Sequence, residues 1–318
     1  MQYLVIALIL FILELLYFKI ADRYNIIDKP NHRSSHSSIT LRGGGIIFPI
    51  AMLIAFVLGY SSWSVTLAVV LVAAVSFIDD IKPLSQLPRF GSHVVAFLLV
   101  AYDLNLFAEP LWILPLVLVL LIGWMNAFNF MDGINGITVL YALSAIVSFA
   151  FLDIHESSFP LLITMGLSCL VFGIFNVRAK AKTFAGDVGS ISMALFLGYF
   201  MIKTIIDSGQ IGYILFFSVY GIDAVITIVN RIKKRENIFE AHRSHLYQYL
   251  ANEWGYSHVL IAFVYAILQF LINGLVIYLD SNGSLSLLAI VGILGILALI
   301  YLLVRTVVVR KITFIKTL

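Results

Sequence analysis

Charge is scarce in this 318-residue chain: Asp, Glu, Lys and Arg make up 12% of it, against 61% hydrophobic residues. With a mean hydropathy of +1.03, that balance excludes an ordinary soluble domain and implies an all-α, polytopic membrane protein. Cysteine is almost absent. The single Cys169 lies in an apolar run, so no intramolecular disulfide can form. The start, Met1-Gln2-Tyr3, lacks a basic segment and a small-residue cleavage site, and reads as a retained first helix rather than a signal peptide. Internal repeats, low-complexity tracts and linkers are also missing, so residues 1–318 are expected to form a single membrane domain. A net charge of only +3 makes the distribution of charge more informative than its total, and nucleic acid is not an expected partner.

Eleven apolar runs are long enough to be considered as membrane helices, at about 3–21, 44–60, 64–79, 91–107, 111–128, 137–153, 159–176, 188–206, 211–229, 258–279 and 285–304. The connections alternate in character. One set is long and basic (22–43, 80–90, 129–136, 177–187, 230–257 and the tail from Arg305); the other is short and bare (61–63, 108–110, 154–158, 207–210, 280–284). Nineteen of the 20 Lys and Arg residues lie in or beside the first set, Lys203 being the exception. The positive-inside rule then places the basic loops in the cytoplasm, the N-terminus in the periplasm and the C-terminus in the cytoplasm, which requires an odd number of spans.

The carboxylates follow the basic loops. Asp79–Asp80, Asp132, Asp187 and Asp223 fall at the inner ends of spans, where an unpaired charge at the edge of hydrocarbon is costly. Carboxylates gathered at one face repel one another unless a cation lies between them, and hard ions such as Mg²⁺ take oxygen ligands and bridge to phosphates.

Each loop admits a bland and a functional reading. In the first, Asp28, Arg33, His36, Thr40 and Arg42 precede Gly43-Gly44-Gly45 at a helix start; it either touches acidic lipid headgroups or brings backbone N–H groups up to a phosphate. Asp79 and Asp80 close a helix against its dipole, with Lys82 available to offset the cost. Neighbours ~100° apart on a helix should leave one of the two facing the bundle. Asn126, Asn129 and Asp132 recur every three residues, on roughly one helical side, before Gly133 and Asn135-Gly136. Asp187 opens a helix after Lys182, Phe184 and Gly186, as an N-cap or as a metal ligand, and Phe184 suits either base stacking or anchoring at the interface. In the last loop, which reads His242-Arg243-Ser244-His245-Leu246-Tyr247, the two histidines with Arg243 fit diphosphate binding better than zinc.

Taken together, these segments resemble the polyprenyl-phosphate N-acetylhexosamine-1-phosphate transferases. That family includes the phospho-MurNAc-pentapeptide translocase and the enterobacterial GlcNAc-1-phosphate transferase. The resemblance runs from Asp28 to Gln248 through Asp28-x-Pro-x-x-Arg33-x-x-His36-x-x-x-Thr40, Asp79-Asp80, Asn126-Ala-Phe-Asn129 with Asp132-Gly133, Phe184-x-Gly186-Asp187-x-Gly189-Ser190, and Asp223 with Arg231. Asn135 stands where the family usually has a second Asp. The last loop, His242-Arg243-Ser244-His245, looks like the branch that initiates O-antigen or similar surface glycans.

The resemblance implies glycosyltransferase family 4 chemistry: UDP-N-acetylhexosamine plus undecaprenyl phosphate giving undecaprenyl-diphospho-sugar plus UMP at the inner membrane of a bacterium. It also implies Mg²⁺ as cofactor, with Mn²⁺ as a substitute, and is compatible with a homodimer. It assigns Asp187 as the main metal ligand with Asp132 in support, and Asp79 or Asp80 to the lipid phosphate. Asn126, Asn129, Lys182, Phe184, His242, Arg243 and His245 go to the nucleotide and diphosphate. Arg33, His36 and Thr40 go to the lipid phosphate, and Ser244 and Tyr247 to sugar choice. Two other classes stay open. An intramembrane aspartyl protease also uses membrane aspartates, but its Gly-x-Gly-Asp turn is only partly matched by Phe184-Ala-Gly186-Asp187; a transporter would place its polar groups near mid-bilayer.

Overall fold

A computed structural model describes residues 1–29, 39–237 and 243–317, with side chains to 312. The described chain is an all-α bundle, and each of the eleven expected apolar runs is helical. The helices are α1 (Gln2–Arg23), α2 (Ile47–Val57), α3 (Trp63–Ile81), α4 (Gln86–Asp103), α5 (Ile113–Met131), α6 (Ile137–Ala150), α7 (Phe159–Asn176), α8 (Gly186–Ser208), α9 (Ser218–Lys233), a short turn α10 (Leu246–Gln248), α11 (His258–Ser281) and α12 (Leu287–Thr317). A two-residue hairpin, β1 (Ile27–Asp28) against β2 (Thr40–Leu41), follows α1.

Eight of these segments are long and apolar enough to cross a membrane by length and composition. The other three fall short for local reasons. The stretches Gly44–Val57 and Ile137–Ala150 are shorter than a full span, and their buried faces are covered by neighbouring helices rather than lipid. Helix α4 begins with a polar turn containing Pro88, Arg89, Ser92 and His93.

Helix α8 is the hub. In its apolar window 78% of residues are buried, against 11% for α12, and it packs on α3, α5, α2 and α6. Its sequence permits this because Gly189, Ser190, Ser192 and Gly198 keep the backbone accessible: a Cβ on Gly189 would lie 2.7 Å from the Cα of Gly45. Gly209, at φ 69°, ends the helix in the left-handed conformation that favours glycine. At that end, the Asp103 carboxylate accepts bonds from Ser62, from Ser64 at 2.6 Å and from Tyr199 at 2.9 Å. Tyr213, just after α8, donates to Asp280 at the end of α11 at 2.6 Å. The short bare connections therefore gather at one end of the bundle, opposite the carboxylates of the basic loops.

Mid-bundle polar groups are paired with one another. Gln269 of α11 accepts from Tyr141 at 2.6 Å and from the Val219 N–H at 2.9 Å, while its amide donates to the Leu215 carbonyl at 2.8 Å and to Asn273 at 2.7 Å. Asn273 in turn donates to Ser148 at 2.9 Å. The chain joins α6, α9 and α11 where no water competes for these groups, and it leaves them committed to one another. Gln269→Leu strands the Tyr141 hydroxyl and the Leu215 and Val219 backbone groups, so it is expected to destabilise the bundle by about 2 kcal/mol or more. Thermal unfolding in detergent checks this; an unchanged midpoint would show that the chain contributes nothing.

Candidate active site

Of the carboxylates named from sequence, Asp79, Asp80 and Asp187 meet where α3 ends and α8 begins. Asp80 is the most enclosed, its side chain 0% exposed. It accepts from the backbone N–H of Asp187 at 2.9 Å and of Val188 at 3.0 Å, and from Arg42 Nε at 2.8 Å. Asp80 therefore supplies from another helix the carboxylate cap that Asp187 was one candidate to provide. Asp187 instead lies inside the first turn, with no side-chain cap at the Ala185 position. Its side chain is 22% exposed, accepts from Asn129 at 3.1 Å, and has Arg42 at 4.0 Å and Arg89 at 3.8 Å. Asn129 also donates to Ser190 at 2.8 Å.

Asp79, one residue before Asp80, turns the other way. Its carboxylate accepts from the Leu84 N–H at 2.6 Å, pairs with Arg89 Nη1 at 3.3 Å, and lies within hydrogen-bonding reach of Asp187. Two carboxylates so close repel unless a proton or cation lies between them. Lys82 is exposed; Arg42, Arg89 and the N–H groups of α8 offset the charge that Lys82 was expected to offset. The sequence names Arg42 only as a cation of the first loop, with no partner, and does not single out Arg89. Both are visible there as cations in basic loops, but only the meeting of three connections brings them to one point.

The triple glycine serves a different purpose from the one expected. Gly44 and Gly45 donate their N–H groups to the carbonyls of Phe184 at 2.9 Å and Ala185 at 3.1 Å, not to an anion. Their lack of side chains permits the contact, since a Cβ on Gly45 would lie 2.3 Å from the Cα of Gly189. Gly186, at φ +70°, is equally constrained: a Cβ there would lie 2.5 Å from an Asp80 oxygen.

The Asn126–Asn129–Asp132 row divides in three. Asn126 donates to the Ile122 carbonyl of its own helix at 2.9 Å, Asn129 faces Asp187, and Asp132 accepts from the Thr138 hydroxyl. Burial pushes the Asp132 carboxyl up to about 7, opposed by that hydroxyl and reinforced by the charge of Asp187. Asn135 donates to the Arg178 carbonyl at 2.9 Å and braces the fourth loop against the third. Lys182 lies over the Phe18 ring at 4.8 Å, in a groove along α1. Phe184 is half-buried, three residues before Asp187, and Thr40 is buried in β2.

The last loop is held by Asp223. This buried carboxylate accepts from His245 Nδ1 at 2.9 Å, Tyr265 at 2.8 Å, Tyr301 at 3.0 Å and the Leu246 N–H at 3.3 Å. His245 is thereby fixed at 1% exposure. Arg231 donates to the Asn237 carbonyl at 2.5 Å and pairs with Glu236 at 3.1 Å. Tyr247 is fully buried, donates to the Phe130 carbonyl at 3.0 Å and covers Gly133. Arg243 and Ser244 are half-buried beside it. Arg33, His36 and His242 lie outside the described residues.

Residues 62–205 match the family described as glycosyl transferase family 4. Over 299 residues the chain is 25% identical to a probable undecaprenyl-phosphate N-acetylglucosaminyl 1-phosphate transferase of Bacillus subtilis (strain 168), covering 82% of this chain and 81% of that protein. Over 282 residues it is 26% identical to an undecaprenyl-phosphate alpha-N-acetylglucosaminyl 1-phosphate transferase of Thermotoga maritima, covering 81% and 84%. A phospho-N-acetylmuramoyl-pentapeptide-transferase of the same organism is 25% identical over 205 residues, covering 58% of this chain and 67% of that protein.

A Cβ on Gly133 would meet the Tyr247 hydroxyl oxygen at 2.2 Å. Gly133→Ala is therefore expected to displace the Asp132 turn and lower activity at least tenfold. Adding Tyr247→Phe removes the closest clashing atom and should recover part of the loss. A purely additive double variant in a kinetic cycle would refute this coupling.

Proposed function

We propose, because this chain belongs to glycosyl transferase family 4, that it transfers a HexNAc-1-phosphate from a UDP-sugar to undecaprenyl phosphate and releases UMP. The observation that carries the reading is the pairing of Asp79 with Asp187 between two arginines at one end of the bundle. Phosphoryl transfer needs alignment and charge neutralisation more than covalent chemistry from the protein, and this cluster offers both. The names of two relatives, one from Bacillus and one from Thermotoga, support both undecaprenyl phosphate as the acceptor and GlcNAc as the sugar.

The donors suit Mg²⁺. Among the described residues no group of three or more His, Cys, Asp or Glu forms a cage. Mg²⁺, however, is usually held by one or two carboxylates, with waters and substrate phosphates completing the shell. Asp187 would hold it, with Asp132 in support. When bound, it would neutralise charge developing on the diphosphate. Arg42 and Arg89 are placed to draw the diphosphate in and to balance its negative oxygens. Asn129 orients Asp187. Asp80, with its oxygens taken by α8 and Arg42, positions the site, which leaves Asp79 as the carboxylate able to align or deprotonate the acceptor phosphate. Phe184 is the surface for the uracil ring. Arg243 and Ser244 face the sugar and its diphosphate, with His245 fixed behind them by Asp223. The arginines beside Asp187 disfavour a proton-sharing protease pair, and the mid-bundle polar groups are committed to one another rather than to a transported solute.

The site faces the cytoplasm of the inner membrane in this reading, and the product starts an O-antigen or similar surface glycan. Purified protein with undecaprenyl phosphate and UDP-GlcNAc should release UMP only with Mg²⁺ or Mn²⁺. Asp187→Asn should lower that rate by about 100-fold or more while the protein stays folded, with partial recovery at high Mg²⁺. Near-normal activity of this variant at low Mg²⁺ would remove Asp187 from the metal site.

Sidedness is checked separately. After replacement of Cys169, cysteines at Ser62 and Asn282 should react with an impermeant thiol reagent from outside, and those at Ser85 and Asn237 should not. Outside labelling at position 237 would invert the orientation.

A further inference from the structure

A cavity of about 710 Å³ runs along α1, away from the carboxylates. Its deeper part is lined by Ile12, Leu15 and Leu16, and its upper part by Lys19, Asp22 and Lys182, with the β1–β2 hairpin closing one side. Residues 12, 15, 16 and 19 share one helical face, and seven residues of helix separate Ile12 from Lys19 by about 10 Å. Ile12 and Leu16 are exposed, on a helix long and apolar enough to cross a membrane. The groove thus has an apolar lower wall opening on hydrocarbon and two ammonium groups against one carboxylate at the level of the basic loops. The Lys182 ammonium is held there over the rings of Phe18, at 4.8 Å, and Phe175, at 5.7 Å.

The groove does not open onto Asp187. Leu41 lines it, whereas the next residue, Arg42, reaches Asp80 on the other face of the same extended segment. Between them runs a hydrogen-bonded backbone seam. The Leu41 carbonyl accepts from the Phe184 N–H at 2.9 Å and the Thr183 hydroxyl at 3.2 Å, and the Gly44 N–H donates to Phe184. A phosphate held by Lys19 and Lys182 would sit on the outer side of this seam, apart from the reacting groups.

We propose that this groove binds an anionic membrane phospholipid, its phosphate between Lys19 and Lys182 and one acyl chain on Ile12, Leu15 and Leu16. The excess of ammonium over carboxylate selects an anion, and the lateral opening lets the lipid enter from the leaflet. Such a lipid braces the Leu41–Thr183 seam from outside, while Asp80 and Arg42 brace it from within.

The test is titration of delipidated protein with phosphatidylglycerol or phosphatidylcholine, with bound lipid counted by native mass spectrometry. One phosphatidylglycerol should be retained in preference to phosphatidylcholine. Lys19→Gln and Lys182→Gln should each weaken it by about fivefold, and together by about 25-fold. Leu16→Trp, which fills the groove and leaves both charges, should also expel the lipid, and it decides the matter if a lysine variant fails to fold. Asp187→Asn should retain the lipid, which separates this site from the proposed reaction. Equal binding of phosphatidylcholine, or undiminished phosphatidylglycerol binding in the double lysine variant, would overturn the proposal. Displacement of the lipid by stoichiometric undecaprenyl phosphate would overturn it in favour of the acceptor.

Discussion

A single buried carboxylate, that of Asp80, ties the inner end of the bundle together. It ends α3, where the helix dipole opposes it, yet it caps the start of α8, where unsatisfied N–H groups and the opposite dipole end favour it. Arg42 adds the charge partner. A carboxylate this enclosed is tolerated only when its donors are in place, so the end of α3, the start of α8 and the loop after β2 have one mutual arrangement. The position of Asp187 follows from it, as does the close passage of Gly44 and Gly45 along the segment before α8.

Asp223 plays the same role for the last loop. Donors from His245, Leu246, Tyr265 and Tyr301 converge on it from three directions, and Arg305 on α12 bonds Tyr301 at 2.9 Å. The two carboxylate centres are linked through the third loop, because Tyr247 packs on Gly133 next to Asp132. The reactive face of this membrane protein is thus rigidified by buried polar centres and glycine-permitted contacts.

Much of the fold was legible in the sequence. The apolar runs became helices because hydrocarbon leaves a backbone no other way to satisfy its N–H and C=O groups. The carboxylates of Asp79, Asp80 and Asp187 were read to the same face from the pattern of basic loops, and they do converge. Less legible was what each neighbour does. The glycines before α2 looked like an anion cradle and are instead a close-approach surface. Asn126 shares a periodicity with Asn129 but bonds its own helix. Arg89 was one unremarked cation in a short loop, yet it reaches both Asp79 and Asp187.

Composition and periodicity by themselves determined the membrane setting, the number and order of helices and which loops carry the polar chemistry. These follow from the cost of exposing backbone and charge to hydrocarbon, which acts along the chain and can be read locally. Tertiary structure alone decided which carboxylate would be a structural cap and which would stay partly exposed. Asp79 and Asp80 are adjacent and chemically identical, and their fates diverge because successive helical residues point ~100° apart, one toward the N–H groups of α8 and the other toward Arg89. The partners that set their roles lie on other elements, from Arg89 at the start of α4 to Arg42, 38 residues before Asp80, and the α8 N–H groups 107 and 108 residues after it, and are brought together only by the packing of the bundle.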